Sequence, residues 1–224
     1  IRVITGGAVA ATFNSSQGTV VAGILSTTSA GTNNFRAGAN AGNSITSGGN
    51  QNTVIGDEAG TAITTGDENV FIGFQSGDAL VDGTFNVAMG SNSLTADTKG
   101  KKSVAIGTNA LATQNFTSLT DTFNVAVGHS AGTAVTTGTE NTILGGLAGL
   151  AATTASGVTL VGVRAGGGLT TGGDNTAIGK QALKVATEGT GNTAVGKDAL
   201  EATTTASDNT AVGKFALTLN TEGA

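Results

Sequence analysis

Few residues of this 224-residue chain have the types and spacing that catalysis needs. His129 is the single histidine, and no nucleophile, second base or metal-ligand cluster recurs at a fixed distance from it. Acidic residues precede several asparagines, but the spacing of calcium-binding solenoid repeats is missing. Gly145-Gly146 with Gly149 lacks the helix and the distal acid of a dinucleotide site. We therefore expect a non-enzymatic protein with no catalytic residue, no cofactor and no metal.

Charge and composition exclude several classes of partner. Ten Lys and Arg residues against fifteen Asp and Glu residues give a net charge of −5, so we expect no nucleic-acid binding. No apolar run approaches the roughly 18 residues of a spanning helix, which predicts no membrane insertion in this segment. The chain has 37 Gly and no Trp, Tyr, Pro or Cys, so it cannot pack a thick core of large side chains.

An internal repeat organises the chain. A short segment such as NTVIG, NVAVG or NTAIG recurs, and eight of the ten intervals between its glycines are 17 residues long. Residues 1–33 match poorly and are predicted to be a degenerate N-terminal or capping segment, followed by repeats over 34–224. One interval of 21 residues carries a four-residue insertion near 114–121. The repeat glycines, from which we number the unit, are Gly38, Gly56, Gly73, Gly90, Gly107, Gly128, Gly145, Gly162, Gly179, Gly196 and Gly213.

Each position of the unit has its own chemistry. Position −3 is a β-branched Thr or Val from Thr53 onward, and with position −1 it predicts one face of a short strand, which we assign to the core. Position −2, on the opposite face, is apolar too, and +3 is Ala or Ser. We expect these two columns to be covered by another molecule. The −1 column is Ile55, Ile72, Met89, Ile106, Val127, Leu144, Val161, Ile178, Val195 and Val212.

Asparagine dominates position −4, where it predicts a turn and a column of stacked, hydrogen-bonded amides. Thr at +8, followed by Gly at +10, predicts a second short strand that ends in a turn. The −4 column comprises Asn34, Asn52, Asn69, Asn86, Asn124, Asn141, Asn175, Asn192 and Asn209.

Positions +4 and +7 covary within the unit. Where +4 is Gly, +7 is usually large and apolar, and where +4 is Leu, +7 is small or polar. We infer that both positions fill one pocket, since overpacking it or emptying it would each destabilise the coil. The double change Gly166→Leu with Leu169→Asp is then predicted to be tolerated better than Gly166→Leu alone.

These patterns predict an all-β fold, a parallel β-solenoid (β-roll) of about eleven 17-residue coils spaced about 4.8 Å apart. An uncovered apolar face in so thin a coil favours self-association, and we expect an intertwined or side-by-side homotrimer. A monomeric solenoid in which the extra Ala merely thins the coil is the alternative.

The segments from Asn175 to Leu183, Asn192 to Leu200 and Asn209 to Leu217 read N-T-A-[IV]-G-x-x-A-L. This motif resembles the head repeats of trimeric autotransporter adhesins, and still more the repeats of bacteriophage tail-fibre-like proteins. The similarity covers roughly residues 34–217. It implies a homotrimeric left-handed parallel β-roll that is exposed at a surface and takes part in attachment. The adhesin unit is usually shorter, and heptads and a membrane anchor are missing here, which favours the fibre.

We therefore expect a structural phage tail or virion fibre shaft at the virion surface. Its partners would be sister copies, other fibre or virion subunits, and a host cell-surface receptor or glycan. The alternatives are a trimeric autotransporter-type adhesin head at the bacterial surface and an ice-binding solenoid, although position +9 interrupts the Thr-rich face that ice binding needs. Asn115, Phe116 and Leu119 of the insertion form a possible receptor-contact loop. We expect the natural chain to continue beyond Ala224.

Overall fold

The structure, a computed structural model, describes residues 2–5, 8–14, 18–20 and 30–221. Near the N-terminus, β1 (Arg2–Thr5), β2 (Ala8–Asn14) and β3 (Gly18–Val20) form an antiparallel sheet in that order. This sheet is separate from the one that the repeats build, so the described part of residues 1–33 does not continue the parallel stack of repeat strands. Their prediction as a capping segment stays a prediction.

The repeats form one parallel sheet of eleven strands, each paired with the strand of the next coil. In register, Val54 lies opposite Phe71 and Ala194 opposite Ala211, so equivalent positions stack into columns. This confirms the parallel β-solenoid. Its strands, with two extra strands β8 and β10 that pair with each other, are β4 (Phe35–Ala37), β5 (Thr53–Ile55), β6 (Val70–Ile72), β7 (Val87–Met89), β8 (Gly100–Lys101), β9 (Val104–Ile106), β10 (Thr120–Asp121), β11 (Val125–Val127), β12 (Thr142–Leu144), β13 (Thr159–Val161), β14 (Thr176–Ile178), β15 (Thr193–Val195) and β16 (Thr210–Val212).

The repeat glycine directly follows each strand of the eleven-stranded sheet, and no other residue fits at that position. Gly145 has φ of 134°, a conformation that residues with a Cβ rarely adopt. A Cβ at this position would also lie 2.7 Å from the carbonyl oxygen of Gly162 in the next coil. The other repeat glycines up to Gly196 share both properties, which explains the regularity of the motif.

The assignment of the two strand faces from the sequence is wrong. Position −2 points into the coil: Val54, Phe71 and Ala88 are fully buried, as are their equivalents as far as Ala194. Position −1 points outward and is half-buried or exposed, with Ile178 at 40% and Val212 at 70% exposure. The physical reason is volume, because a thin coil admits the smaller Ala-rich column and leaves the column of Ile, Val, Leu and Met outside.

The rest of the interior comes from positions +3, +4 and +7, which turn inward from the segment after the glycine. Ala59, Ala165, Leu183 and Leu169 are fully buried. The predicted second strand at +8 is not regular: the backbone N–H of Thr153 donates to the Thr170 carbonyl at 2.9 Å, but the chain bends immediately afterwards. Each coil therefore contributes one three-residue strand of the eleven-stranded sheet, and its remaining residues are mostly in turns and bends.

The asparagine column forms the predicted ladder. Asn192 Nδ2 donates to Asn175 Oδ1 of the preceding coil at 3.1 Å and to the Ala206 carbonyl of its own coil at 2.9 Å. Its Oδ1 accepts the backbone N–H of Asn209 at 3.0 Å. The fully buried Asn192 amide thus joins neighbouring coils and closes its own. The left-handed residue of this turn is not Asn but the one before it, such as Glu140 or Asp174.

The space beside position +4 is shared with position −2 as well as with +7. A Cβ at Gly60 would lie 2.7 Å from Ile63 at +7, as expected. At Gly166, however, the nearest atom is Leu160 Cδ2 at 2.7 Å, which belongs to position −2. In every coil with Leu at +4, position −2 is Ala, so the two positions exchange volume. These pairs are Ala88 and Leu94, Ala105 and Leu111, Ala177 and Leu183, Ala194 and Leu200, and Ala211 and Leu217.

Candidate functional site

The outward face of the eleven-stranded sheet is a regular surface that the repeat builds. Strand alternation places positions −3 and −1 on it, two side chains per coil. Met89, Leu144 and Ile178 are 37%, 44% and 40% exposed, and Val125 at −3 is 37% exposed. From β4 to β16 neither position carries a charged residue. We call these two columns the sheet face; at about 4.8 Å per coil it extends about 50 Å.

Charged and aromatic side chains border the sheet face at positions −5 and +1. Phe85 and Phe123 are 50% and 52% exposed, and Lys102 Nζ lies 5.0 Å from the centre of the Phe123 ring. Lys197 and Lys214 at +1 both approach the Phe215 ring, at 5.3 and 4.7 Å. The border is therefore amphipathic, in contrast to the uncharged sheet face between its two sides.

The insertion is anchored to the preceding coils. β10 adds to β8, and Asp121 forms ion pairs with Lys101 at 2.8 Å and Lys102 at 2.7 Å. These lysines, which donate hydrogen bonds to its carboxylate, lower the pKa of Asp121. The inserted residues are thus a short additional strand on the surface of the solenoid.

The candidate receptor-contact loop is only partly available for contact. Leu119 is 55% exposed, but Phe116 is only 8% exposed, so its interpretation as an outward apolar group is wrong. The backbone N–H of Phe116 donates a hydrogen bond to Asp97 Oδ1 at 3.2 Å, which holds this residue against the preceding coil. Asn115 is exposed, and its Oδ1 accepts a hydrogen bond from Thr98 Oγ1 at 3.1 Å.

A buried polar cluster lies beneath the insertion, and sequence reasoning missed it. Gln114 Nε2 donates to Asp97 Oδ2 at 2.6 Å and to Ser103 Oγ at 2.8 Å, while its Oε1 accepts from Asn124 Nδ2 at 2.8 Å. Ser103 Oγ also lies 2.6 Å from Thr122 Oγ1. Gln114 therefore bridges the step of the asparagine ladder that Ser103 leaves out. The signal was present: Asp97 and Gln114 are polar at the interior +7 position of adjacent coils.

Burial raises the pKa of Asp97 above its usual range, and hydrogen bonds from Gln114 and from the backbone N–H groups of Gly100, Phe116 and Lys99 oppose that shift. The carboxyl is enclosed by donors and fully buried, so no substrate can reach it. We assign it a structural role.

The remaining candidates for chemistry lie apart. His129 is exposed at position +1. Over residues 30–221 no three His, Cys, Asp or Glu side chains are grouped closely enough to hold a metal ion. Among the described residues there is also no helix with the length and apolar character needed to cross a membrane.

The fold and these surfaces define the chain as a parallel β-solenoid with an uncharged outer sheet face. Comparisons with protein-family models, with curated proteins and with solved structures returned no match.

Proposed function

We propose that this chain is a non-enzymatic shaft segment of a phage tail or virion fibre, which assembles as a homotrimer through the sheet face and serves surface attachment. The observation that carries the proposal is the uncharged column of medium apolar side chains at position −1, which stays half-buried or exposed along the whole length of the sheet. The largest contiguous apolar patch on a typical monomer is about 300–600 Å² and is often functional. The sheet face, both columns together, is about 50 Å long and about 10 Å wide, which amounts to roughly 500 Å² per chain.

The composition of the sheet face is that of an interface core, which is depleted of charge, and its amphipathic border matches an interface rim. A standard interface buries about 800 Å² per partner, and the sheet face together with its border can supply that area. A rotation axis parallel to the solenoid would let every copy present the same columns to its sisters. The resemblance of the NTAIGxxAL units to fibre repeats favours three copies.

The attachment role follows from rigidity and length. Coil-to-coil hydrogen bonds and the buried asparagine ladder run along the stack, so the chain resists bending and can hold a binding surface away from a particle. Its partners would then be other fibre or virion subunits and a receptor or glycan on the host cell, and its location the virion surface.

Sedimentation equilibrium tests the assembly. We expect a mass three times the chain's 21.5 kDa. The double change Leu144→Lys and Ile178→Lys on the sheet face should reduce it to one chain, because two cations per copy would be buried without partners. The matched control, Thr154→Lys with Thr171→Lys at the exposed +9 position, adds the same charge elsewhere and should leave the trimer intact. A wild-type chain that stays single at micromolar concentration would refute the proposal.

Ice binding is a second candidate, because the sheet face contains a regular threonine column. Position −3 is Thr in five successive coils from Thr142 to Thr210, spaced by one strand repeat of about 4.8 Å. The +8 threonines fit less well, since hydroxyls such as those of Thr153 and Thr170 donate to the backbone of the next coil. A trimer would cover the −3 column, so the two functions exclude each other. A thermal-hysteresis measurement decides: activity that Thr176→Lys abolishes favours ice binding, and no activity favours the fibre.

A further inference from the structure

A depression of about 300 Å³ opens on the surface of the turn that follows the repeat glycine. Three successive coils contribute to it. Leu147 and Leu150 come from the first, Arg164, Gly167 and Gly168 from the second, and Lys184 from the third. Its volume suits one small ligand group, such as a single sugar residue, rather than a peptide segment.

The depression exists because two adjacent side chains are missing. Among the repeat units that begin at Gly38 and later, this one alone has Gly at both +5 and +6, where the others carry residues such as Thr, Asp, Leu or Ala. A Cβ at Gly168 would lie 2.8 Å from the Lys184 carbonyl oxygen, so the backbone of the next coil passes close beneath it. The floor is therefore formed by backbone that the coil stack holds in place.

The side chains around the depression differ in character from one side to the other. Leu147 and the 37% exposed Leu150 form an apolar wall. Arg164 is exposed, and within residues 30–221 its guanidinium forms no hydrogen bond or ion pair. Lys184 Nζ is paired with Glu201 Oε1 at 3.0 Å. A free guanidinium beside a second, partly neutralised cation favours an anionic ligand, and its planar fork fits a carboxylate in particular.

We propose that this depression binds a carboxylate-bearing sugar residue of an acidic surface glycan. The carboxylate would pair with Arg164 while Lys184 adds attraction, and the C–H face of the ring would rest on Leu147 and Leu150. The inference rests on the proposed attachment function and gives it a ligand class. Each chain would carry one such site, because no other coil has the Gly-Gly pair together with a cation at +2.

Calorimetric titration of the full chain with a glucuronate-containing tetrasaccharide tests the site, with the carboxyl-reduced tetrasaccharide as the neutral control. We expect one saturable site per chain for the acidic probe and none for the neutral one. Arg164→Gln should weaken binding at least about tenfold, since it removes charge-assisted hydrogen bonds. Gly167→Thr should abolish it by filling the depression with a side chain that other coils carry at +5, as at Thr61 and Thr133. Lys99→Gln, which removes a partly exposed cation outside both the depression and the border, should have no effect.

Several results would overturn this site. They are no saturable binding of the acidic tetrasaccharide, equal weakening by Arg164→Gln and Lys99→Gln, or equally tight binding of a tetraglutamate peptide or inorganic phosphate. Thermal melting of each variant shows whether it folds. The mass from sedimentation separates the two proposals. A wild-type chain that is trimeric but does not bind the acidic tetrasaccharide refutes only this site, whereas a monomeric wild type refutes the fibre assembly.

Discussion

The exchange of volume between positions −2 and +4 makes a quantitative prediction about Gly166 and Leu160. Gly166 has φ of 58°, and a Cβ there would lie 2.7 Å from Leu160 Cδ2. In the next coil the large and small residues are exchanged: Ala177 is at −2 and Leu183, with φ of 54°, is at +4. The double change Leu160→Ala with Gly166→Leu should therefore convert one native type of coil into the other.

The single changes should each be damaging. Leu160→Ala removes a fully buried side chain and leaves a cavity, at about 2–5 kcal/mol of unfolding free energy. Gly166→Leu overpacks the interior by about 1–3 kcal/mol and adds about 1–2 kcal/mol for a left-handed residue with a Cβ. The double change keeps only the last of these costs. We expect the double variant to lose at least about 2 kcal/mol less unfolding free energy than the summed losses of the two single variants.

Urea denaturation of the four proteins at one fixed chain concentration measures the coupling. A fifth variant, Gly166→Leu with Leu169→Asp, separates this reasoning from the +4 and +7 pairing expected from the sequence. It keeps the clash with Leu160 and places a carboxylate at a fully buried position, so it should be the least stable of the set. If it is more stable than Gly166→Leu alone, or if the effects of Leu160→Ala and Gly166→Leu simply add, the structural account of this pocket is wrong.

Three further predictions concern single positions. Gly145→Ala should prevent stable folding or cost more than about 3 kcal/mol because its Cβ meets the next coil and its φ is positive, whereas Gly146→Ala, with open space around it, should melt like the wild type. Asn192→Ala should lower the free energy of unfolding by about 2–4 kcal/mol, and Asn192→Asp should lower it further at neutral pH because a carboxylate would face two buried acceptors. Melting temperatures of these two variants equal to that of the wild type would contradict the ladder. The pKa of Asp97 is raised in the folded chain. Its contribution to the free energy of unfolding is therefore present at pH values below the ordinary carboxyl pKa near 3.8 and declines as pH rises through the folded-state pKa. The pKa of Asp121 is lowered, so its stabilisation is present above that value and is lost as pH falls through the folded pKa; the stability differences between wild type and Asp97→Asn or Asp121→Asn should thus change with pH in opposite directions.

Much of the fold could be predicted because a repeat shows the same local constraint many times over. A glycine that returns every 17 residues after a β-branched residue indicates a strand that ends at a Gly-only conformation, and stacked Asn residues indicate an amide ladder. Both features depend on residue type at one position and on its equivalent in the next coil. The structure confirms the parallel stack and the ladder.

The insertion shows where this reasoning ended. An unmatched segment that contains Phe116 and Leu119 suggests an exposed loop, yet Phe116 is buried and Asp97 receives its N–H. The partner lies 19 residues earlier, in the preceding coil, and no repeated pattern marks the contact. Contacts that occur once give a single sequence no second example from which to infer them.

The sequence by itself determined the coil length, the direction of stacking and the residues that form each column, because these follow from chain periodicity and backbone sterics. Only the tertiary structure decided which side of the strand is interior. Both faces are apolar in the sequence, so hydrophobicity could not distinguish them; the choice depends on the space enclosed when the turn after the glycine folds back. That space admits the Ala-rich column headed by Val54 and leaves the column headed by Ile55 outside, where another surface can cover it.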